Sequence, residues 1–379
     1  MYITTNKELT EYCTRLMLAS AVGFDTEFDH TTTYAPRLCL IQVTTSSQIE
    51  DVAVIDPIVN KLDLTPLRDV FLNGNIAKVF HDARRDLDLL YRVLKVLPVN
   101  VFDTQLAAAF CGLKDRPISY KDLVKRLFNH DIDKSFQRAD WLARPLSQDQ
   151  LHYAKCDVVY LLPAYQMLHA SLINMNRWEW MLEEMRLMSD PQTFAIDKTR
   201  LWVKTDFPKD SPNLNLAVVQ DVCVWRESNA NSFDIPRKTL LRDDCIQTIS
   251  TNVPATREEL IKMAQSPVYI TNGKYMAHSL FECIQLAAKR PRESWPVLHE
   301  RKEADPERDY IRQIRDGYAK QLNIPCNLLA TDTNLREFTK GVYSFEGWRS
   351  EFGQFLKLSL DAARQQQQQQ PASKLNLVK

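Results

Sequence analysis

After about residue 205 no stretch of this chain reads as a β-strand, whereas the part before it carries several. Residues 2–4 read as a short strand and 6–19 as a helix. "AVGFDTEF" (21–28), "RLCLIQVTT" (37–45) and "EDVAVIDP" (50–57) follow as strands at the spacing of an antiparallel meander. The pattern then turns mixed α/β, with strands at 76–81 and 99–104 around a helix at 82–96. This predicts an α/β fold with a five-stranded mixed sheet, closing on a long helix over 147–175 that Pro163 breaks or kinks. The domain division follows: an α/β domain over 1–206, a Pro-rich linker at 207–213, and all-helical segments at 214–292 and 296–364. Residues 365–379, "QQQQQQPASKLNLVK", are low in complexity and read as a disordered tail.

Composition removes several classes of function. Lys+Arg and Asp+Glu are both 48, so no global field announces a polyanionic partner, and any such binding rests on local patches. The chain holds only eight glycines, and none fall in a nucleotide-cradling pattern, which argues against NAD enzymes, kinases and helicase motors. The eight cysteines are scattered without C-x-x-C pairs or zinc spacing, and read as reduced, buried thiols. Neither a leader pattern nor a membrane-length apolar run is present, so the expectation is a cytoplasmic protein with no membrane partner.

Side chains must then carry the chemistry, and carboxylates are the candidates. In an extended strand Asp25 and Glu27 project from one face while Phe24, Thr26 and Phe28 point the other way. A divalent metal between them relieves the repulsion, although a D-x-E pair alone is equally a strand end fraying into solvent. In the helix after strand 76–81, Asp82 suits the N-cap and Asp86 lies one turn on. Asp86 is the preferred site residue and Asp82 the runner-up, while Asp88 is turned toward solvent. In "HYAKCDVVYLLP" (152–163), Tyr153 and Asp157 stack one turn apart beside an apolar stripe.

Taken in order, these elements spell D-x-E, H-x-x-x-x-D and Y-x-x-x-D. The set resembles the DEDDy branch of the DnaQ-like 3'-5' exonucleases, and residues 1 to about 200 resemble ribonuclease D. The blocks "FDTEF" (24–28), "TYAPRLCLIQV" (33–43), "DTQLAAAFCG" (103–112), "KSFQRADWLARPLS" (134–147) and "YAKCDVVYLLP" (153–163) carry the likeness. Beyond 210, "LAVVQDVCVWRESNANSFDIPRKTLLRDDCIQTIS" (216–250) resembles an HRDC module, and "YAKQLNIPCNLLATDTNLREF" (318–338) a degenerate second copy.

The resemblance implies an RNase H-like sheet, all-α C-terminal domains, and a 3'-5' exoribonuclease that trims precursor tRNAs and other structured RNAs to 5'-mononucleotides. It implies Asp25, Glu27, Asp86, Tyr153 and Asp157 as the site. Two magnesium or manganese ions would be bridged by Asp25, with Glu27 and Asp157 completing one and Asp86 supporting the other. Tyr153 would orient the attacking water. His81 falls in a family block but equally suits a structural role, Arg84 and Arg85 are left outside the site, and no protein partner is indicated. The rival readings are a DNA-directed repair or proofreading exonuclease and a catalytically inactive nucleic-acid-binding module.

Overall fold

A computed structural model describes residues 1–113, 117–264, 274–297 and 306–369. The chain forms two compact units. One comprises Met1–Glu27, Leu40–Thr193 and the segment beginning at Lys302; the other comprises Phe28–Cys39 and Phe194–Arg301.

The sheet contains β1 (Tyr2–Ile3), β2 (Ala21–Asp29), β3 (Arg37–Thr44), β4 (Ala53–Ile55), β5 (Ala77–Phe80) and β6 (Val101–Asp103), in the order β1-β4-β3-β2-β5-β6. It is mixed as expected: β3 and β4 are antiparallel, while β1 runs parallel to β4, and β5 runs parallel to both β2 and β6. The expected five strands are six. Residues 2–3 add an edge strand, with Tyr2 opposite Val54 and Ile3 opposite Ile55. The short strand read at residues 2–4 is this sixth member, and the pairing shows that it joins the sheet. Phe24, Phe71 and Phe80 pack together at the centre, with ring centroids 5.1 and 5.6 Å from Phe24.

Helices α1 (Asn6–Leu16), α2 (Thr65–Leu72), α3 (Arg84–Leu94), α4 (Thr104–Phe110) and α5 (Tyr120–Phe128) are interleaved with or follow the strands. The single long helix expected over 147–175 is divided into α6 (Gln148–Cys156) and α7 (Leu161–Asn174). Pro163 lies in the first turn of α7, where its missing N–H costs nothing. Helix α8 (Trp178–Met188) follows.

The helical unit is built from α9 (Leu216–Ser232), α10 (Arg237–Leu240), α11 (Asp243–Thr251), α12 (Arg257–Ala264) and α13 (Lys274–Ala288). Its core includes Trp202, Phe207, Val218, Val222, Trp225 and Ile246, and Tyr34 from the 28–39 segment. The C-terminal helices α14 (Pro306–Leu322), α15 (Cys326–Leu329), α16 (Asp332–Thr339) and α17 (Ser350–Gln369) belong to the sheet-containing unit. There Trp348 stacks on Trp180 at 5.0 Å, and Arg349 pairs with Glu184 at 2.5 Å. Helix α17 extends into the Gln-rich tail as far as Gln369; the rest of the tail lies outside the described residues.

One local structure occurs twice. Arg226 donates to the Leu241 carbonyl (2.8 Å) and to Asp243 (2.7 Å), and Arg315 donates to the Ala330 carbonyl (3.3 Å) and to Asp332 (3.0 Å). Pro236 and Pro325 precede the two short helices, and Asp234 and Asn323 take left-handed φ of 49° and 51° just before them. The segments read as related from sequence thus share backbone geometry. No helix among the described residues is long and apolar enough to cross a membrane.

Candidate active site

Strand β2 supplies the first two carboxylates, and a glycine decides what can approach them. Gly23, Asp25 and Glu27 alternate onto one face. A Cβ on Gly23 would lie 2.9 Å from Thr44 Cγ2 and 3.2 Å from Leu161 Cβ, so its absence lets the start of α7 rest on the strand. Asp157, in the turn between α6 and α7, is carried in with it. Oxygens of Asp25, Glu27 and Asp157 lie within 4.8 Å of one another, and all three residues are half-buried.

Tyr153 and Asp157 keep the expected one-turn relation, with the Asp157 N–H donating to the Tyr153 carbonyl at 3.3 Å. The Tyr153 hydroxyl donates to the Asp157 carboxylate. Asp86 lies in the first turn of α3, buried, and accepts from the Thr26 hydroxyl. It is not among the three whose oxygens converge, but its charge bears on Asp25 and Glu27.

Asp82 does not cap α3. It has a left-handed φ of 58°, and the helix N-cap is Ala83 without a side-chain bond. Asp103 takes the capping role instead, accepting from the Ala83 N–H at 2.9 Å and the Asp82 N–H at 3.2 Å. It also caps α4 through Gln105 (2.8 Å). Asp88 pairs with Arg92 one turn away at 3.1 Å. His81 is held structurally: Nε2 donates to the Ile118 carbonyl at 3.0 Å, and Nδ1 lies 2.9 Å from the Thr104 hydroxyl. Burial lowers its pKa to about 4, so the ring is neutral. Arg84 donates to the Thr193 carbonyl at 3.0 Å.

The carboxylates are electrostatically unsettled. Burial first, then the charges of Asp86, Asp157 and Glu27, hold Asp25 well above the ordinary range. Glu27 is pushed up to about 9 by burial, Asp157 and Asp86. Asp86 rises to about 7, with burial opposed by the Thr26 hydroxyl. Asp157 also rises to about 7 through burial, which the Tyr153 hydroxyl and the charge of Lys134 partly offset. No cation is a leading influence on Asp25 or Glu27. Hard oxygen donors that repel one another in a partly buried site fit a hard divalent cation.

Burial and Asp157 raise the Tyr153 phenol far above its usual value, so it stays protonated and acts as a donor. Phe136 and Trp141 flank its ring at 6.1 and 6.0 Å. Sequence reasoning missed Thr26, Lys134 and Tyr120. Thr26 lies between the two acids, where strand alternation sends it away from them. Lys134 falls in a recognised block but carries no spacing signal. Tyr120 accepts from the Tyr160 N–H (3.1 Å) beside Asp157, a contact between distant segments.

Comparison with known proteins bears on the family and the fold. A family model for 3'-5' exonucleases matches residues 1–173. The ribonuclease D of Nitrobacter hamburgensis is 36% identical over 291 residues, covering 77% of this chain and 75% of that protein. The ribonuclease D of a Jannaschia species is 32% identical over 360 residues, 92% of each. Among solved structures, Escherichia coli RNase D, described as an exoribonuclease involved in structured RNA processing, superposes with a TM-score of 0.79 at 26% identity, covering 97% of this chain and 98% of that one.

Proposed function

The chain belongs to the ribonuclease D family of 3'-5' exoribonucleases, and we propose that it is a metal-dependent enzyme releasing 5'-mononucleotides from the 3' ends of precursor tRNAs and other structured RNAs. The observation that carries the metal dependence is the convergence of Asp25, Glu27 and Asp157 within 4.8 Å, with no leading cation at Asp25 or Glu27. Asp25, Glu27 and Asp157 would hold the cations, and Asp86 would support them from α3. Two divalent ions supply charge neutralisation at the phosphodiester and make a nucleophile of water near neutral pH.

The chain's own groups do the rest. Tyr153, kept as a neutral phenol, orients the attacking water as a hydrogen-bond partner rather than taking its proton. Thr26 fixes the Asp86 carboxylate, and the neutral His81 ties the end of β5 to the residues before α5. The helical segments 214–292 and 296–364, HRDC-like in pattern, grip the body of the RNA through Lys, Arg and aromatic side chains. The reading places the protein in the cytoplasm, consistent with its eight free thiols.

The test is a nuclease assay on a tRNA carrying extra 3' nucleotides, with magnesium or EDTA, beside matched single-stranded RNA and DNA. Stepwise 3' shortening of RNA that stops in EDTA is the expected result. Cleavage persisting in EDTA would refute the metal reading, and faster DNA cleavage would refute the substrate class.

A further inference from the structure

Residues 129–147, between α5 and α6, form no helix or strand, yet they carry both aromatic rings that flank Tyr153. They also carry Lys134, whose charge reaches Asp157. An irregular segment holds such positions only if something outside it does the holding. Part of the answer is internal: Asp140 accepts from the N–H groups of Leu142 (3.0 Å) and Ala143 (3.2 Å). The anchor is Arg144. Its Nη1 donates to the carbonyls of Trp141 (2.7 Å) and Ala143 (2.8 Å), while its Nε donates to Asp56 at 2.5 Å.

Asp56 is built to receive it. The side chain is fully buried just beyond β4. One oxygen accepts from the N–H groups of Ile58 (3.0 Å) and Val59 (3.3 Å), and the other is shared with the Tyr2 hydroxyl (2.5 Å). The acid is thus rigid with the sheet edge. The guanidinium fork transfers that rigidity to the backbone of Trp141, a residue only 4% exposed.

We propose that the buried Asp56–Arg144 ion pair is a positioning device for Tyr153, acting through Trp141 and the irregular segment. The inference rests on the reading of Tyr153 as the group that orients the attacking water. Without the fork, the rings beside Tyr153 shift, and the phenol loses alignment while the carboxylates keep theirs.

The test is a double-mutant cycle in the full-length protein with magnesium. Arg144→Lys keeps the charge for Asp56 but cannot reach both carbonyls. It should lower kcat by about 10-fold, the usual scale for an outer supporting group. KM and magnesium affinity, the latter measured by calorimetry, should hardly change. In a Tyr153→Phe background the same substitution should cost almost nothing more, because the group it aligns is gone. Trp141→Phe, which leaves the ion pair intact, should show the same non-additivity and decides the matter if Arg144→Lys does not fold. Equal losses in both backgrounds would overturn the inference alone. A silent Tyr153→Phe would overturn the reading of Tyr153 and the inference with it.

Discussion

Glu227 and Asp243 in the helical unit, and Asp25, Glu27, Asp86 and Asp157 in the sheet-containing unit, are all withdrawn from water, yet their ionisation is pushed in opposite directions. Burial raises each of them. In the helical unit it is overcome: Arg237 and the Tyr34 hydroxyl bring Glu227 below its usual value, and Arg226 does the same for Asp243. The pairs are close, 2.5 Å for Arg237–Glu227 and 2.7 Å for Arg226–Asp243. At the candidate site, among the described residues, no cation is a leading influence on Asp25 or Glu27, Lys134 offsets Asp157 only in part, and the acids raise one another. A buried acid with its counter-charge built in is a fold element. A cluster without one is arranged for a cation from outside.

The largest effect should come from the unpaired side. Asp25→Asn should lower activity by at least about 10³-fold, because a neutral ligand weakens cation binding without loss of packing volume. Its thermal stability in EDTA should hold or rise, since one repelling charge is gone. Near-normal activity of the purified variant would erase the contrast. On the paired side, Arg226→Ala should cost up to about 3 kcal/mol of stability, because it leaves Asp243 only the more distant Lys238 at 3.6 Å. Cleavage of short single-stranded RNA should change little below the melting point. A large loss of kcat with intact folding would mean that the paired acids serve catalysis too.

The two kinds of acid also differ in how far the sequence shows them. Asp25, Glu27, Tyr153 and Asp157 are legible because each pair is local, two apart on a strand or one turn apart at a helix end. Asp86 is legible by the same logic, but the capping role assigned to Asp82 belongs to Asp103, since α3 begins only after a left-handed residue. Strands β2 to β6 follow from their apolar runs, whereas β1 is too short to announce its place. Thr26 with Asp86, Arg144 with Asp56, and Tyr34 with Glu227 join positions far apart in the chain, and no spacing encodes them. The grouping of residues from Lys302 onward with the sheet, through Trp348 on Trp180, is hidden for the same reason.

Acidity offers a graded test. Carboxylates whose folded pKa is raised bind protons more tightly when folded, so their contribution is complete below the unfolded pKa near 4 and is lost as pH rises. For Glu27 that loss extends to about 9, and for Asp86 and Asp157 to about 7. The melting temperature in EDTA should therefore fall between pH about 5 and about 9, and the gain on adding magnesium should grow over the same interval. Glu27→Gln should flatten both trends. A magnesium increment independent of pH in the wild type would show that the cation does not replace protons at this cluster.

The smallest effect isolates one partner of a paired acid. Tyr34 donates to Glu227 at 2.5 Å, and Arg237 grips the same carboxylate through Nε (2.5 Å) and Nη2 (2.7 Å) while lying 4.4 Å over the Tyr34 ring. Tyr34→Phe removes the hydroxyl but keeps the ring, the stacking and both guanidinium bonds. Glu227 remains charged and paired, so the expected cost is about 1–2 kcal/mol, the scale of one hydrogen bond to an ionised group. The sign of its pH dependence is opposite to that of the site. A depressed carboxylate stabilises above its unfolded pKa and loses that contribution as pH falls through the folded value. The cost of Tyr34→Phe, followed by hydrogen exchange of the α9 amides, should therefore be full near neutral pH and shrink on acidification below about 4. A cost that grew on acidification would mean that the hydroxyl favours protonated Glu227, and the contrast between paired and unpaired acids would fail at the residue that defines it.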